Sequence, residues 1–372
     1  MKITECSVVE DTKVKIQFDD GKILTFEDCW LRDNCRCPVC YDANLVERLA
    51  HIVNFPDVRV KNIQNLQTRI SVTWTDNHVS TYDASFLSQF DFKIWEQSRR
   101  LSPVLWKGSE VVSKVARVEV DKFLNTEEGT KEIFQSLLDY GLAFVENVTP
   151  TIEATEVVCN ALGGVMHTNM YGGMWTISTN LTEHSDTAYT NLALKQHTDN
   201  SYFSEPAGLQ IFHCIEHNDG TGGESIFMDG FYGAKKLKEE HPKDFEFLSN
   251  FQLDAEYIED GHHFRLLAPV LKVNKFGDVV HLRFNSYDRT PMAFADGEEC
   301  RSYYRSLKNL AQYFEDPQNQ FVIKLQPGTV VAIDNFRVLH GRAAFTGKRI
   351  LCGSYVRRDD WTDKARVLKL IK

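Results

Sequence analysis

The chain has 372 residues and a formal net charge of −10, and 42% of its residues are hydrophobic, which is ample for one or two buried cores. The excess of acidic residues excludes a broad nucleic-acid-binding surface, because such a surface needs Lys and Arg to neutralise phosphates. The sequence has no run of about eighteen apolar residues, which excludes a membrane-spanning helix.

Residues 1–90 carry the pattern of short strands joined by tight turns. The stretch VKIQFDDGKILTF predicts a hairpin around an Asp-Gly turn, and RISVTWTDNHVSTY predicts a second hairpin. We therefore expect a small N-terminal β domain over residues 1–95. The charged stretch that follows predicts a linker over residues 96–117.

The first residues, MKITECSVVEDTKVK, have neither the apolar segment of a signal peptide nor the Arg-rich, acid-poor character of a transit peptide. We therefore expect a cytoplasmic protein. Because that compartment is reducing, the nine cysteines are expected to be thiols or metal ligands rather than disulfides.

Three cysteines cluster in NCRCPVC, as Cys35, Cys37 and Cys40. Three thiolates so close suit tetrahedral zinc, which needs a fourth donor, and His78 in the second hairpin is the candidate. A redox pair formed by Cys37 and Cys40 and a set of unrelated buried thiols stay open as alternatives. The redox interpretation lacks the strand-to-helix setting expected of such pairs. Cys29 lies nearby and is expected to be a core residue.

Residues 118–372 mix many short strands with fewer helices. The stretch EEGTKEIFQSLLDYG places its apolar side chains on one helical stripe and ends at Gly141, a typical stop. Further helices are predicted across Glu153–Leu162, FYGAKKLKEEHPKDFEFLS and EECRSYYRSLKNLAQYF. Strands are predicted in LAFVENV, LQIFHCI, ESIFMDG, VVHLRFN, FVIKL, TVVAI and RILCGSYVR. This pattern predicts a mainly β fold, a sandwich or jelly roll with flanking helices.

The stretch ALKQHTDNSYF holds a histidine and an aspartate one residue apart. On an extended segment the side chains of His197 and Asp199 point the same way, because successive side chains alternate between faces. Such a pair suits a metal, an acid–base couple or an ordinary polar contact. Two histidines and one carboxylate are typical of non-haem Fe(II), so a metal would need a second, distant histidine. Among the twelve histidines, His340 in GTVVAIDNFRVLHGR is best placed, after an apolar strand.

Arg349 in GKRILCGSYV shares one face of a predicted strand with Leu351, Gly353 and Tyr355. If that face turns inward, the guanidinium needs an anionic partner, because an unpaired buried charge is costly. A carboxylate of a dicarboxylic cosubstrate suits it as a bidentate partner. The alternative is an ion pair with an acidic side chain at the surface.

Together these residues resemble the 2-oxoglutarate-dependent Fe(II) oxygenases of the γ-butyrobetaine hydroxylase/trimethyllysine hydroxylase family. The resemblance rests on HTDNSYF, DNFRVLHGR and the arginine that follows, and it extends through WLRDNCRCPVC, YGGMW, DTAYT, GTGGES, MDGFY, RFNSYDR and RDD. It covers nearly the whole chain. It implies a double-stranded β-helix (jelly-roll) oxygenase core over residues 118–372 and a small N-terminal zinc-binding β domain.

The resemblance also implies ligands and cosubstrates. The expected ligands of Fe(II) are His197, Asp199 and His340. Arg349 would hold the far carboxylate of 2-oxoglutarate, and Ser225 in TGGES would contact the same cosubstrate. The expected ligands of a structural zinc are Cys35, Cys37, Cys40 and His78. Relatives in this family also imply a homodimer, a use of ascorbate and, since vertebrate members carry a mitochondrial targeting segment, the mitochondrial matrix as an alternative location.

Aromatic side chains indicate a quaternary ammonium substrate. Such a group has no N–H to donate, so ring faces bind it through the cation–π interaction, worth about 2 kcal/mol or more when desolvated. For any single aromatic residue, a plain core position is the simpler interpretation. The trimethylammonium cage of the family falls on Tyr171, Trp175, Tyr189 and Tyr355.

The other end of the substrate separates the two activities of the family. N6-trimethyllysine has an α-ammonium group that γ-butyrobetaine lacks, and Asp186 in DTAYT is the candidate to pair with it. Asn285 in RFNSYDR is the candidate contact of the substrate carboxylate. We therefore expect hydroxylation of trimethyllysine at C3, the first step of carnitine biosynthesis. The alternatives are hydroxylation of γ-butyrobetaine and a zinc-binding module whose oxygenase core is inactive.

Overall fold

The computed structural model describes residues 1–178, 190–218, 220–259 and 261–372. The chain divides into two compact units, Met1–Arg100 and Leu101–Lys372. Within the described ranges, no helix combines the length and the apolar character that crossing a membrane requires.

The N-terminal unit is built from small antiparallel sheets. Its strands are β1 (Ile3–Val9), β2 (Lys13–Phe18), β3 (Ile23–Glu27), β4 (Tyr41–Asp42), β5 (Glu47–Arg48), β6 (Val60–Asn65), β7 (Arg69–Trp74) and β8 (Val79–Asp83). Its helices are α1 (Asp28–Asp33), α2 (Ala84–Leu87) and α3 (Phe92–Arg99). Strands β1–β2–β3 form one sheet and β6–β7–β8 another. The two predicted hairpins are confirmed as β2–β3 and β7–β8, and their inward side chains share one apolar cluster.

Two larger sheets form the centre of the C-terminal unit. The strands are β9 (Arg117–Glu119), β10 (Leu142–Glu146), β11 (Met174–Ser178), β12 (Leu194–His197), β13 (Leu209–Asn218), β14 (Ser225–Asp229), β15 (Gln252–Glu259), β16 (His262–Pro269), β17 (Leu271–Val273), β18 (Val279–Leu282), β19 (Phe321–Ile323), β20 (Val330–Asp334), β21 (Val338–Arg342) and β22 (Lys348–Val356). A six-stranded sheet has the order β11–β22–β13–β20–β10–β9, and a four-stranded sheet has the order β12–β21–β14–β19. Strands β15–β16 and β17–β18 form separate hairpins.

Helices cover the outside of this unit. They are α4 (Val120–Asn125), α5 (Glu127–Tyr140), α6 (Ile152–Leu162), α7 (Gly230–Glu240), α8 (Pro242–Asn250), α9 (Gly297–Glu315) and α10 (Arg358–Val367). The predicted end of α5 is confirmed, because Gly141 follows it in the left-handed conformation with φ 72°. The single helix predicted across FYGAKKLKEEHPKDFEFLS is two helices, since Pro242 has no N–H to continue α7 and begins α8 instead.

The alternation of side chains along the six-stranded sheet separates its two faces. Ile211 on β13 and Ala332 on β20 lie in an apolar cluster with α5, α6 and α10. Gln210 and Phe212, the sequence neighbours of Ile211, instead line a cavity that side chains of the four-stranded sheet also line. One face of the sheet therefore packs against helices, and the other packs partly against the four-stranded sheet and partly forms one wall of a cavity.

The segment predicted as a linker over 96–117 has two different parts. Residues up to Arg99 lie in α3, and the boundary between the units falls after Arg100. Beyond it, Trp106, Val111 and Val115 are buried in an apolar cluster of the C-terminal unit. These apolar side chains attach this part of the segment to the core of the C-terminal unit.

Candidate active site

Strands β12 and β21 bring the two predicted histidine ligands together. In the antiparallel register between these strands, His197 lies directly opposite His340. Their ring centroids are 4.4 Å apart. Asp199, two residues beyond His197, has Oδ1 at 3.2 Å from Nε2 of His197 and at 3.6 Å from Nε2 of His340. A close-spaced pair, His197 and Asp199, and the distant His340 therefore direct their donor atoms at one point.

Hydrogen bonds fix how these side chains present their atoms. Nδ1 of His197 donates to the carbonyl oxygen of Lys195 at 2.7 Å, which leaves the lone pair on Nε2. Oδ2 of Asp199 accepts a hydrogen bond from the hydroxyl of Tyr355 at 2.9 Å. The arrangement leaves two imidazole nitrogens and one carboxylate oxygen facing one another.

Asn335 holds the backbone beneath the carboxylate. Its Oδ1 accepts from the N–H of Asp199 at 2.8 Å, and its Nδ2 donates to the carbonyl oxygen of Asp199 at 3.0 Å. The same Nδ2 donates to the carbonyl of Ala207 at 3.1 Å. Asn335 is fully buried in the turn between β20 and β21, and Asn200, next to Asp199, has a left-handed φ of 59°. The turn that carries Asp199 is thus fixed by a side chain that precedes His340.

Burial and mutual proximity shift the pKa values of the three groups. Burial opposes ionisation of Asp199, but the neighbouring His340 and His197 outweigh it and hold the pKa of this carboxyl well below its usual value. Burial lowers the pKa of His340 to about 3, so this imidazole is neutral and keeps a lone pair. Burial also lowers the pKa of His197, but the negative charge of the adjacent Asp199 carboxylate outweighs burial, and the pKa of this imidazole is raised.

A cavity of about 300 Å³ opens at the three residues. Its wall includes predicted site residues from both sheets and from loops: Tyr171, Trp175, Ser225, Asn285, Arg349 and Tyr355. Asp186 and Tyr189, the other two predicted substrate contacts, lie outside the described residues. The structure therefore brings the described members of the predicted site into one cavity.

Aromatic rings form one part of the cavity wall. The ring of Tyr355 packs edge-on against Tyr171, with centroids 5.7 Å apart, and lies 5.9 Å from Trp175. The hydroxyls of Tyr171 and Tyr202 are hydrogen-bonded at 2.7 Å, and Tyr202 stacks on Tyr257 at 4.9 Å. The ring contacts and the pair of hydroxyls join these side chains into one continuous aromatic surface.

Arg349 lies at another part of the same wall. It is 5% exposed, and burial, with the charge of Arg342 added, lowers its pKa to about 10. Among the residues that the structure describes, no carboxylate lies within ion-pair distance of its guanidinium. Arg342, by contrast, donates to the carbonyl oxygens of Thr190 and Leu192. A buried cation that faces a cavity in this way favours an anionic ligand.

Several cavity residues were not predicted from the sequence. They are Tyr202, Gln210, Tyr257, Asp288 and Arg342. Asp288, which is buried, accepts a hydrogen bond from the Ser201 hydroxyl at 2.7 Å. Two of them lie in stretches that carry the family resemblance, Tyr202 in HTDNSYF and Asp288 in RFNSYDR. No local sequence pattern, however, distinguishes a side chain in a cavity wall from one in a core.

A second group of donors lies in the N-terminal unit. Nε2 of His78 is 3.4 Å from Sγ of Cys35 and 3.6 Å from Sγ of Cys37 and of Cys40. His78 directly precedes β8, in the turn of the second hairpin. All four predicted zinc ligands are therefore adjacent in space. Cys29 is exposed, so the expectation that it is a core residue was wrong.

Comparison with known proteins identifies the class. The family described as "Taurine catabolism dioxygenase TauD, TfdA family" matches residues 99–355, and "Gamma-butyrobetaine hydroxylase-like, N-terminal" matches residues 8–88. The chain is thus an oxidoreductase of the dioxygenase class. It belongs to the TauD/TfdA dioxygenase family.

Individual relatives agree with this assignment. "Trimethyllysine dioxygenase, mitochondrial" of Homo sapiens is 39% identical over 94% of this chain and 84% of its own length. "Trimethyllysine dioxygenase" of Meyerozyma guilliermondii is 30% identical over 99% of this chain and 96% of its own length. A solved taurine dioxygenase from Burkholderia xenovorans is similar in fold, with a TM-score of 0.51 and 16% identity over 70% of this chain and 91% of that one.

Proposed function

We propose that the chain is an Fe(II)- and 2-oxoglutarate-dependent dioxygenase that hydroxylates N6,N6,N6-trimethyllysine at C3, in carnitine biosynthesis. The observation that carries the proposal is the convergence of His197, Asp199 and His340 beside a buried arginine that faces the same cavity. The names of the vertebrate and fungal relatives support the choice of substrate.

The donor set fits a ferrous ion. Two neutral imidazoles and one carboxylate are the ligands typical of non-haem Fe(II) oxygenases, and the metal keeps its remaining positions for cosubstrates. With metal–ligand bonds of about 2.1 Å, neighbouring donors at right angles would be about 3.0 Å apart, close to the separations of 3.2 and 3.6 Å from Asp199 to the histidines. Bound iron supplies the oxidative chemistry, in which one oxygen atom enters the substrate and the other enters succinate as 2-oxoglutarate loses carbon dioxide.

Arg349 is proposed to hold the far carboxylate of 2-oxoglutarate. A planar guanidinium matches a carboxylate in a bidentate pair, and the pair would compensate the charge that the fold buries. Ser225 lies on β14 opposite Arg342 of β21 and lines the same cavity, so its hydroxyl is available to the cosubstrate.

The aromatic surface is proposed to bind the trimethylammonium group. Tyr171, Trp175 and Tyr355 contribute to the continuous aromatic surface, and Tyr202 and Tyr257 extend it. Ring faces attract a desolvated cation that has no N–H to donate. Binding one end of the substrate there fixes which C–H lies nearest the metal, and such positioning contributes several kcal/mol to catalysis. Asn285 is proposed for the substrate carboxylate, and Asp186 and Tyr189 keep their predicted roles.

The N-terminal cluster is proposed to bind a structural zinc. Bonds of about 2.3 Å to sulfur and about 2.0 Å to nitrogen place a tetrahedral sulfur–nitrogen pair about 3.5 Å apart. The distances of 3.4–3.6 Å from His78 to the three sulfurs agree with that spacing. Burial raises the pKa of the Cys35 thiol to about 11, so a cation would be needed to keep it as thiolate at neutral pH.

The remaining features of the family are proposed on the same basis. The six-stranded and four-stranded sheets would be the two halves of a double-stranded β-helix, with residues 118–372 as the oxygenase domain and 1–95 as the zinc-binding domain. The vertebrate relatives are named mitochondrial, which favours the matrix over the cytoplasm. A homodimer and a use of ascorbate stay predictions.

One experiment separates the candidate activities. The protein, purified anaerobically and supplied with Fe(II), 2-oxoglutarate and oxygen, receives trimethyllysine and γ-butyrobetaine together, and mass spectrometry follows both. We expect hydroxytrimethyllysine with formation of succinate. His340→Ala should stop both products, and His51→Ala, at an exposed histidine of the N-terminal unit, should stop neither.

The γ-butyrobetaine alternative is favoured by the name of the family that matches residues 8–88. Hydroxylation of γ-butyrobetaine alone would establish that alternative. Iron uptake without succinate from either compound would contradict the proposed function and favour the zinc-binding module with an inactive core.

A further inference from the structure

Tyr355 connects the aromatic surface to the metal-ligand carboxylate. Its ring packs against Tyr171 and Trp175, with centroids 5.7 and 5.9 Å away. Its hydroxyl donates to Oδ2 of Asp199 at 2.9 Å. The side chain is 5% exposed. One buried phenol therefore belongs to both parts of the cavity.

The two oxygens of Asp199 have different surroundings. Oδ1 lies 3.2 Å from His197 and 3.6 Å from His340, and so faces the point on which the three donors converge. Oδ2 is the oxygen that accepts the hydrogen bond from Tyr355. A hydrogen bond to an ionised carboxylate is among the stronger ones in proteins. The hydrogen bond from Tyr355 therefore engages Oδ2, whereas Oδ1 faces the metal site.

The backbone of Asp199 leaves the side chain little other freedom. Asn335 holds both the N–H and the carbonyl of this residue. Rotation about the side-chain bonds is then the main remaining way in which the carboxylate can change its presentation. The hydroxyl of Tyr355 donates a hydrogen bond to Oδ2, and this bond restricts that rotation.

We propose that Tyr355 is a positioning residue that limits Asp199 to coordination through one oxygen, and thereby keeps a metal position open for dioxygen. This inference rests on the proposed function. An octahedral ion held by two histidines and one carboxylate oxygen would have three positions left, two for a chelating 2-oxoglutarate and one for dioxygen. A carboxylate bound through both oxygens would occupy the last of them.

The same connection makes the metal site sensitive to the substrate. A quaternary ammonium group that packs on the ring of Tyr355 acts on the residue whose hydroxyl orients Asp199. Occupation of the aromatic surface is therefore coupled to the geometry of the carboxylate.

The test uses Tyr355→Phe, which keeps the ring and removes the hydroxyl. With Co(II) in place of iron, the visible spectrum of the 2-oxoglutarate complex reports the coordination of the metal. We expect the variant to have a changed spectrum that no longer responds to trimethyllysine. With Fe(II), we expect the rate of substrate hydroxylation to fall by about tenfold, the size expected for the loss of a hydrogen bond to a charged group. The ratio of succinate to hydroxylated product should rise.

Two other tyrosines serve as matched controls. Tyr171→Phe removes a hydroxyl from the same aromatic surface, where its partner is Tyr202 rather than a metal ligand, and should leave the Co(II) spectrum unchanged. Tyr313→Phe removes a hydroxyl that donates to the carboxylate of Glu240 on the helical side of the unit, and should leave both the spectrum and turnover unchanged.

The proposal is overturned if Tyr355→Phe matches Tyr313→Phe in spectrum and product ratio. A crystal structure of the unaltered enzyme with Mn(II) and 2-oxoglutarate tests it without any variant: one bonded oxygen of Asp199 supports it, and two bonded oxygens refute it. Failure of the proposed function looks different, because the unaltered enzyme would then form no succinate with either ammonium compound.

Discussion

Replacing Arg349 with methionine should stabilise the protein and abolish its binding of 2-oxoglutarate. The guanidinium is 5% exposed, and burial, with the charge of Arg342 added, lowers its pKa to about 10. At about 1.4 kcal/mol for each pKa unit, the folded state carries about 3 kcal/mol of uncompensated charge burial. The lost contact with the ring of Phe345, 5.6 Å away, is worth about 1 kcal/mol. The expected net gain in the free energy of unfolding is thus about 2 kcal/mol.

The assay is thermal unfolding with Mn(II), with and without 2-oxoglutarate. A gain of about 2 kcal/mol raises the midpoint of a unit of this size by about 5 °C. At a hundred times its dissociation constant, 2-oxoglutarate should add about 2.7 kcal/mol to the unaltered protein and nothing to the variant. Lys348→Met, at the exposed preceding residue, should change stability by less than about 0.5 kcal/mol. A variant that begins less stable than the unaltered protein, or that is still stabilised by 2-oxoglutarate, would refute the reasoning.

Three further changes test the supports of the two metal sites and the aromatic surface. Asn335→Ala should weaken Co(II) binding by about tenfold or more, because Asn335 holds the backbone of the metal ligand Asp199. Asn319→Ala breaks one partly buried hydrogen bond to the carbonyl oxygen of Tyr313, and should lower only the stability of the fold. Cys37→Ser should release zinc and unfold the N-terminal unit, as measured by circular dichroism. Cys29→Ser, at an exposed thiol, is the control and should do neither. Gly353→Ala places a Cβ 2.2 Å from the indole of Trp175 and 2.2 Å from the carbonyl oxygen of Ile211 on the adjacent strand. We expect calorimetry to find that trimethyllysine no longer binds and that the free energy of unfolding is lowered by several kcal/mol.

Each of these changes has an outcome that contradicts its premise. Equal Co(II) affinity in the two asparagine variants would mean that Asn335 only supports the fold. Retention of one equivalent of zinc by the Cys37 variant would remove it from the ligand set. Normal substrate affinity in the Gly353 variant would mean that the indole of Trp175 does not contact the substrate.

The local elements were predictable because their causes are local. The Asp-Gly turn between β2 and β3 and the glycine that ends α5 follow from backbone preferences of a few adjacent residues. The common face of Arg349 and Tyr355 follows from strand alternation, and both line the cavity. The helix α10 was missed, since its sequence RDDWTDKARV is mostly polar and has only a weak apolar stripe.

The sequence by itself determined the donor chemistry and its close-spaced parts: a histidine and an aspartate one residue apart, and three cysteines within one short stretch. The setting of His340 after an apolar strand made it the candidate among twelve histidines, and the family resemblance pointed to the same residue. Tertiary structure supplies the physical cause, because the antiparallel register of β12 and β21 sets His197 opposite His340. It also decided the role of Asn335, which sequence patterns did not indicate. Register and packing depend on contacts between segments more than a hundred residues apart, and they decide which side chains meet.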